Sequence, residues 1–190
     1  KSITLKTLGL LQVMVQAGLF IAAESENTFG MFKQIYSEIG DNQSIENELS
    51  TYSYRLKRMK KFLSLSNRDT LLLLDEFGTG SDPELGGALA EAFFESLYRK
   101  KIFAVLTTHY SNIKSRAVQL PQAINGCMLF NAKSLAPLFE FKIGQPGSSF
   151  TFEVAQINGV SNSLIEKAKG KLNNEKLKLN ELLSDLQRKN

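Results

Sequence analysis

Two adjacent carboxylates, Asp75 and Glu76, directly follow the four leucines at positions 71–74. The leucines are too few for a helix and do not alternate with polar residues, so they predict a strand that is covered on both faces, as in a parallel sheet. Ligands of open α/β sheets collect at the carboxyl ends of such strands. Phosphoryl transfer needs one carboxylate that helps to hold Mg²⁺ and one group that orients or deprotonates the attacking water, and two consecutive acids can divide these roles. On this pattern alone, a pair of acids that merely leaves the strand for solvent is equally consistent.

The segment after the two carboxylates favours a functional site. Two glycines permit a tight loop, and Pro83 is placed to open a helix that ends near Arg99. Either Asp82 caps this helix, or Ser81 caps it and Glu84 completes a capping box. The spacing of the apolar residues predicts the helix face that packs on the sheet: Leu85, Ala88, Leu89, Ala92, Phe93 and Leu97.

A second apolar stretch, residues 102–106, predicts another strand and leads into Thr107, Thr108 and His109. The chain therefore has a strand, helix, strand unit with polar side chains at one edge. His109 is the only histidine, and a lone histidine is more often structural than catalytic. A histidine-based metal site is not expected, because there is no second histidine and only one cysteine, Cys127.

These segments carry a resemblance to a known family. LLLLDEFGTGSDP, followed by LTTHY, resembles the ATPase domain of the MutS family of DNA mismatch-repair proteins, which are relatives of ABC-type ATPases. Residues 39–56 look like the signature loop and helix of that family, and residues 138–169 look like its closing segment. GDNQSIENELSTYS is closer to the second bacterial MutS paralogue, the branch linked to suppressing recombination, than to the mismatch-correcting branch. The resemblance implies an α/β fold, a P-loop NTPase (ABC-ATPase-like) sheet flanked by helices, with a C-terminal helix-turn-helix and a helical tail.

The resemblance also implies roles for individual residues. Asp75 would hold Mg²⁺ together with Ser2, Glu76 would activate the attacking water, and His109 would sense the γ-phosphate of ATP. Lys1 and Ser2 match the last two letters of the GK[ST] phosphate-binding loop, so Lys1 would contact the phosphates. A chain without the glycine-rich turn that precedes these letters is expected to bind ATP poorly, because most phosphate donors of the loop are backbone amides of that turn. The family's Mg²⁺-sensing glutamine has no certain counterpart, and Gln16 and Gln34 are candidates by position.

Other local patterns predict the elements around this site. The stretch after Ser2 has almost no polar face, which predicts a buried helix stopped by Gly18, and residues 32–39 predict a strand. A polar segment then leads to Ser50 and Thr51, which precede a helix with apolar residues at helical spacing. Ser50 either only caps this helix, or the helix start, with its hydroxyls and positive dipole end, faces a phosphate. By the resemblance, that phosphate belongs to the other subunit.

Composition and charge limit the other possibilities. The 190 residues, of which 43% are hydrophobic, can bury the core of one domain, and no stretch approaches the ~20 apolar residues of a transmembrane helix. The absence of a signal-peptide pattern and the single cysteine suit a cytoplasmic protein. Of the net charge of +4, most comes from the segment after position 163, which has seven basic against four acidic residues. The remainder shows no basic patch, so DNA binding is expected only through the resemblance.

The second half of the chain predicts smaller elements. Short apolar stretches between residues 121 and 152 predict an antiparallel edge of the sheet, and two short helices are predicted at 152–158 and 163–169. The second helix lacks a row of base-reading side chains, so subunit packing is favoured over DNA reading. The tail carries a narrow apolar seam at helical spacing that suits a partner helix or a frayed end: Leu172, Leu179, Leu183 and Leu186.

Taken with these patterns, the resemblance implies an ATPase domain at 1–155 and a helical dimerisation segment with a tail at 156–190. The domain would act as a homodimer with ATP and Mg²⁺ between the subunits, and DNA would be bound in the intact protein, mainly by other segments. One alternative is an ABC-type transporter or chromosome-maintenance ATPase, although the LSGGQ-type signature is missing from the sequence. Another is a catalytically empty dimerisation module.

Overall fold

The strand predicted from the four leucines is the centre of a parallel sheet. In the computed structural model, β2 (Thr70–Leu74) lies between β1 (Gln34–Glu38) and β3 (Phe103–Leu106), and it pairs in parallel with both. All five residues of β2 are buried, which confirms the prediction of a strand covered on both faces. The parallel order brings the carboxyl ends of three strands to one edge of the sheet, where the predicted site residues follow.

The structure describes residues 1–40, 48–80, 82–131, 134, 136–148 and 150–172. It divides into two units, Lys1–Arg116 and Ala117–Asn190. The predicted functional boundary after residue 155 stays a prediction. Among the described residues, no helix is both long enough and apolar enough to cross a membrane.

Helices cover both faces of the parallel sheet. α1 (Ser2–Gln16) places Leu5 in a cluster with Leu71 and Leu73 on one face. On the other face, Leu72 and Leu74 pack with residues from three elements, α2 (Glu48–Leu65), α3 (Pro83–Arg99) and α4 (Ser111–Gln119). These residues are Phe62, Ala90, Leu97 and Ile113, together with Phe77 of the loop after β2. The alternation of side chains along β2 therefore divides the core into two layers.

The prediction that α1 is a buried helix is wrong. Only Leu5 and Gln12 are buried, whereas Ile3 and Leu10 expose 69% and 61% of their surface. α1 lies against one face of the sheet, and the sheet can cover only one side of the helix. Because α1 carries apolar residues on all sides, those on the far side stay exposed. Gln12 is buried on the covered side because its amide donates to the Gly30 carbonyl at 2.7 Å and to Gln16 at 2.9 Å.

α3 starts as predicted. Of its predicted buried face, Leu97 is buried and Phe93 packs against the core, but the other four residues are exposed. Asp82 caps the helix by accepting hydrogen bonds from the backbone N–H groups of the second and third helical residues at 3.0 and 2.9 Å. The buried residues are Gly86, Gly87, Ala90 and Leu97, whereas Leu85, Ala88, Leu89 and Ala92 of the predicted face are exposed. The small residues let α3 approach its neighbours closely: a Cβ on Gly87 would lie 3.3 Å from the ring of Tyr110.

The second unit contains an antiparallel pair and two short helices. β4 (Gly126–Phe130) and β5 (Pro137–Ile143) pair antiparallel, with an irregularity between Met128 and Phe130. The pairing is as predicted, but the two strands form their own sheet, since among the described residues their only strand partners are each other. The predicted helices are present as α5 (Thr151–Ile157) and α6 (Asn162–Lys169). Their action as a helix-turn-helix stays a prediction, and the leucine seam beyond Leu172 lies outside the described residues.

Candidate active site

Asp75 lies where the carboxyl ends of the three parallel strands meet. Its backbone N–H donates to the carbonyl of Glu38, the last residue of β1, at 2.8 Å. Its carboxylate accepts a hydrogen bond from the hydroxyl of Thr107, which follows β3, at 2.5 Å. The parallel sheet thus places one acid of the predicted pair between its two neighbouring strand ends.

The first turn of α1 reaches the same carboxylate. Burial raises the pKa of Asp75, but hydrogen bonds from the side chains of Ser2 and Thr107 lower it by more than burial raises it. The pKa therefore lies below its usual value of 3.8. Asp75 is therefore ionised at neutral pH, as a metal ligand must be. Ser2 and Asp75, the two predicted Mg²⁺ ligands, are in contact.

Glu76 adopts an unusual backbone conformation at the exposed rim of the site. Its φ of 48° is in the left-handed region, which costs a non-glycine residue on the order of 1–2 kcal/mol. Hydrogen bonds hold the residue there: its N–H donates to the Thr107 hydroxyl at 2.8 Å, and its carbonyl accepts from the N–H and the hydroxyl of Thr79 at 3.1 and 2.9 Å. The side chain of Glu76 is exposed, so a water molecule can reach its carboxylate.

His109 lies within electrostatic range of the other predicted site residues. Burial of part of the imidazole lowers its pKa, as do the charges of Lys1 and Lys114, whereas the carboxylates of Glu76 and Asp75 raise it. The net pKa is below the usual 6.5, so His109 is mainly neutral at pH 7. Lys1, Asp75 and Glu76 thus lie close enough to His109 for their charges to act on it, and the four residues form one cluster. The roles predicted for them stay predictions.

Two residues of this cluster were missed by sequence reasoning. Thr107 was recognised only as polar, yet its hydroxyl bridges Asp75 and the backbone of Glu76. Lys114 of α4 is half-buried, and its pKa is lowered by burial and by the charge of Lys1. The position of Thr107 directly after a strand was a signal for the first. A lysine on a short polar helix gave no signal for the second.

An apolar cleft adjoins the acidic pair. Side chains of α2 and α3 line it, among them Leu56, Met59 and Phe93, together with the loop from Glu76 to Thr79. Glu38 stands at its margin, where burial raises the pKa of the carboxyl although the neighbouring arginines lower it. The cleft is thus lined by α2 and α3 next to the loop that carries Glu76.

The remaining predicted site residues are the two hydroxyl residues of α2 and the two candidate glutamines. α2 as described begins at Glu48, so Ser50 and Thr51 lie inside its first turn, and their side chains are outside the described part of the structure. Their proposed role stays a prediction. Gln16 bonds both the N–H and the carbonyl of Phe32, at 2.9 and 3.0 Å. Gln34 accepts from Thr70 at 3.3 Å, at the opposite end of β2 from Asp75. Both glutamines thus have structural partners.

The comparisons with known proteins agree on one family. The family described as MutS domain V matches residues 1–176. The chain is 43% identical over 187 residues to the protein named Endonuclease MutS2 from Carboxydothermus hydrogenoformans, covering 98% of this chain and 24% of the relative. The Endonuclease MutS2 of Enterococcus faecalis is also 43% identical over 187 residues, with 98% and 24% covered. That of Clostridium novyi is 38% identical over 190 residues, with 100% and 24% covered. The chain thus spans about a quarter of the length of these curated relatives.

Proposed function

Because the chain belongs to the MutS domain V family, we propose that it is the ATP-hydrolysing domain of a MutS-like protein that acts in DNA repair or in the control of recombination. Similarity to proteins named Endonuclease MutS2 favours the second bacterial paralogue branch. The observation that carries the proposal is the contact between the Ser2 side chain and the ionised Asp75 carboxylate, beside the exposed Glu76.

The residues present suit a magnesium ion. Ser2 and Asp75 offer a hydroxyl and a carboxylate oxygen, and Mg²⁺ prefers such hard oxygen donors. It commonly takes only one or two protein ligands, with water and phosphate oxygens completing its shell, so this small donor set is sufficient. When bound, Mg²⁺ would neutralise charge on the phosphates of ATP. Ser2 and Asp75 would hold it.

The other residues of the cluster divide the work on the substrate. Lys1 contacts the ATP phosphates as a point charge. The Glu76 carboxylate orients and deprotonates the attacking water from the exposed rim of the site. His109, which is neutral at pH 7, contacts the γ-phosphate by a hydrogen bond rather than as a cation, and so senses whether it is present.

The proposal includes a second subunit and DNA. Each nucleotide would lie between two copies of the domain, with Ser50 and Thr51 at the start of α2 serving the partner's ATP. DNA would be bound by other segments of the intact protein, and ATP turnover would be coupled to that binding. The nuclease activity in the names of the relatives is not assigned to the residues of this site. We also propose that the protein acts in the cytoplasm.

Substitution of the two acids tests the function in the intact protein. Glu76→Gln is expected to keep Mg-ATP affinity while lowering turnover by about 10²-fold or more, the usual scale for losing a general base. Asp75→Asn is expected to weaken Mg-ATP binding instead. Equilibrium binding and steady-state hydrolysis distinguish the two effects. Unchanged turnover in both variants would contradict the proposed site, and absence of ATP binding by the unsubstituted protein would favour a dimerisation module without catalysis.

A further inference from the structure

The backbone of Glu76 is held from both sides. Its carbonyl oxygen accepts two hydrogen bonds from Thr79, one from the backbone N–H and one from the hydroxyl. Its N–H donates to the hydroxyl of Thr107. The direction of the Glu76 side chain is set by these bonds, because they fix the peptide groups before and after its Cα. A change at Thr79 would therefore move the carboxylate that is proposed to activate water.

Arg55 reaches this loop from α2. Its Nη1 donates to the backbone carbonyl of Thr79 at 3.3 Å and also to the Thr79 hydroxyl oxygen. One turn earlier on the same helix, the ring of Tyr52 lies 3.6 Å from the place that a Cβ on Gly80 would occupy. α2 thus borders the loop at two points, and Arg55 is the point with hydrogen bonds.

The chemistry of these groups gives the hydrogen bonds a direction. A guanidinium can only donate, so the Thr79 hydroxyl oxygen accepts from Arg55 and its hydrogen is left for the carbonyl of Glu76. A hydroxyl that accepts from a cation is polarised and becomes a better donor. The charge of Arg55 therefore strengthens the bond from Thr79 to Glu76.

We propose that Arg55 is a positioning residue for hydrolysis, which links α2 to the backbone of Glu76 through Thr79. The inference rests on the proposed ATPase function and adds a residue to it. Ser50 and Thr51, the residues proposed to serve the partner's nucleotide, lie in the first turn of this same helix. A displacement of α2 when the partner's nucleotide binds would reach Glu76 through Arg55, so the link would make turnover in one site depend on occupation of the other.

Arg58 provides a matched control on the same helix. It donates to the backbone carbonyl of Ser37 at 3.2 Å, and its Nε lies 3.6 Å from the carboxylate of Glu38. Arg58 thus ties α2 to the end of β1 and has no hydrogen bond to Thr79 among the contacts described. Arg58 also lies over the ring of Phe62, at 4.8 Å from its centroid. Because Arg55 contacts Thr79 whereas Arg58 contacts β1 and the core, their substitution separates positioning of Glu76 from general support of the fold.

The test is a double-mutant cycle in the intact protein, with Arg55→Met, Thr79→Val and the two combined. The measured quantities are the single-turnover rate with Mg-ATP and the affinity for a slowly hydrolysed ATP analogue. Each single variant is expected to lower the rate by about tenfold while affinity stays within about twofold, because the general base is misplaced and the phosphate contacts remain. The double variant is expected to be no slower than Arg55→Met, since both changes break the same link. Arg58→Met is expected to lower the melting temperature and leave the rate within about twofold below that temperature.

Several results would overturn the inference. These are a normal single-turnover rate in Arg55→Met or in Thr79→Val, rate losses that multiply in the double variant, or an equal rate loss in Arg58→Met. Thr79→Val removes the hydroxyl and nearly preserves the shape of the side chain, so a normal rate in this variant overturns the inference even if Arg55→Met does not fold. Glu76→Gln distinguishes a failure of the proposed role of Arg55 from a failure of the proposed active site. A slow Glu76→Gln with a normal Arg55→Met contradicts only the role of Arg55, whereas a normal Glu76→Gln contradicts the proposed site itself.

Discussion

Replacing Thr107 by valine tests how the site is held together. Valine keeps the shape of the side chain and removes a hydroxyl that donates to Asp75 at 2.5 Å and accepts from the N–H of Glu76 at 2.8 Å. A hydrogen bond to a charged group contributes about 1.5–3 kcal/mol to stability, and a backbone N–H left unsatisfied costs about 1–3 kcal/mol. Because Glu76 is exposed, water can replace part of the second bond, so the lower end applies to it. We expect Thr107→Val to lower the free energy of unfolding by about 2–4 kcal/mol at pH 7.

The neighbouring threonine is the matched control. The Thr108 hydroxyl donates to the carbonyl of Phe77 at 3.2 Å and accepts from the N–H of Tyr110 at 3.1 Å, so it makes only uncharged hydrogen bonds. Thr108→Val is expected to cost about 1 kcal/mol. The assay is urea unfolding of the intact protein, with hydrogen exchange of peptides from β2 to identify the transition of this part of the chain.

The pH dependence gives a second criterion. The pKa of Asp75 is depressed in the folded state, so its ionic stabilisation is present above the usual value of 3.8 and is lost as the pH falls through the folded value. The difference between the unsubstituted protein and Thr107→Val should therefore shrink at acid pH, whereas the difference for Thr108→Val should not. Equal losses for the two variants at pH 7, or a Thr107→Val difference that does not depend on pH, would refute the assigned hydrogen bonds.

Three further predictions concern the shared site, the histidine and a glycine. Mixing intact proteins that carry Lys1→Ala and Ser50→Arg should restore about a quarter of full ATPase activity. Random exchange makes about half of the dimers mixed, and each mixed dimer keeps one unsubstituted site. No recovery after verified subunit exchange would count against a shared site. His109 has a lowered pKa, so the protein should lose stability as the pH falls below 6.5, and urea unfolding of His109→Gln should show a smaller loss. Gly78→Ala should destabilise by more than about 2 kcal/mol, because the new methyl would lie 2.5 Å from a methyl of α3 at a φ of 86°. Gly18→Ala, at a φ of 73° with nothing within 4 Å, should cost only the backbone strain of about 1 kcal/mol in the same denaturation assay.

The sequence predicted the elements whose signals are local. A short apolar strand followed by acids, and a helix opened by Asp82 and Pro83, depend on neighbouring residues, and the structure has both. The parallel pairing of β2 with β3 then places His109, which follows β3, near Asp75 and Glu76, which follow β2. The proximity of Asp75, Glu76 and His109 could thus be predicted because strand ends meet at one edge of a parallel sheet.

The errors came from features that depend on distant neighbours. The buried face of α3 was predicted only in part, at Phe93 and Leu97, because a helix can also pack through glycines, as it does at Gly86 and Gly87. The exposure of α1 depends on how much sheet it meets, which its own residues do not encode. The contact of Arg55 with Thr79 joins residues 24 positions apart and leaves no periodic pattern in either segment.

The parallel sheet also has a consequence for folding kinetics. β1 pairs with β2 at a separation of 36 residues, as in the pair Gln34 and Thr70, and each crossing between the parallel strands passes through a helix. Pairing across such separations requires closure of a long chain segment before any ladder forms, so local helices are expected to form before the sheet. Until α1 and α2 cover it, the uncharged stretch of four leucines in β2 is an exposed apolar strand, the kind of segment through which folding intermediates aggregate. Efficient folding therefore depends on early docking of both helices, and variants that weaken α1 or α2 should first become visible as a lower yield of refolded protein.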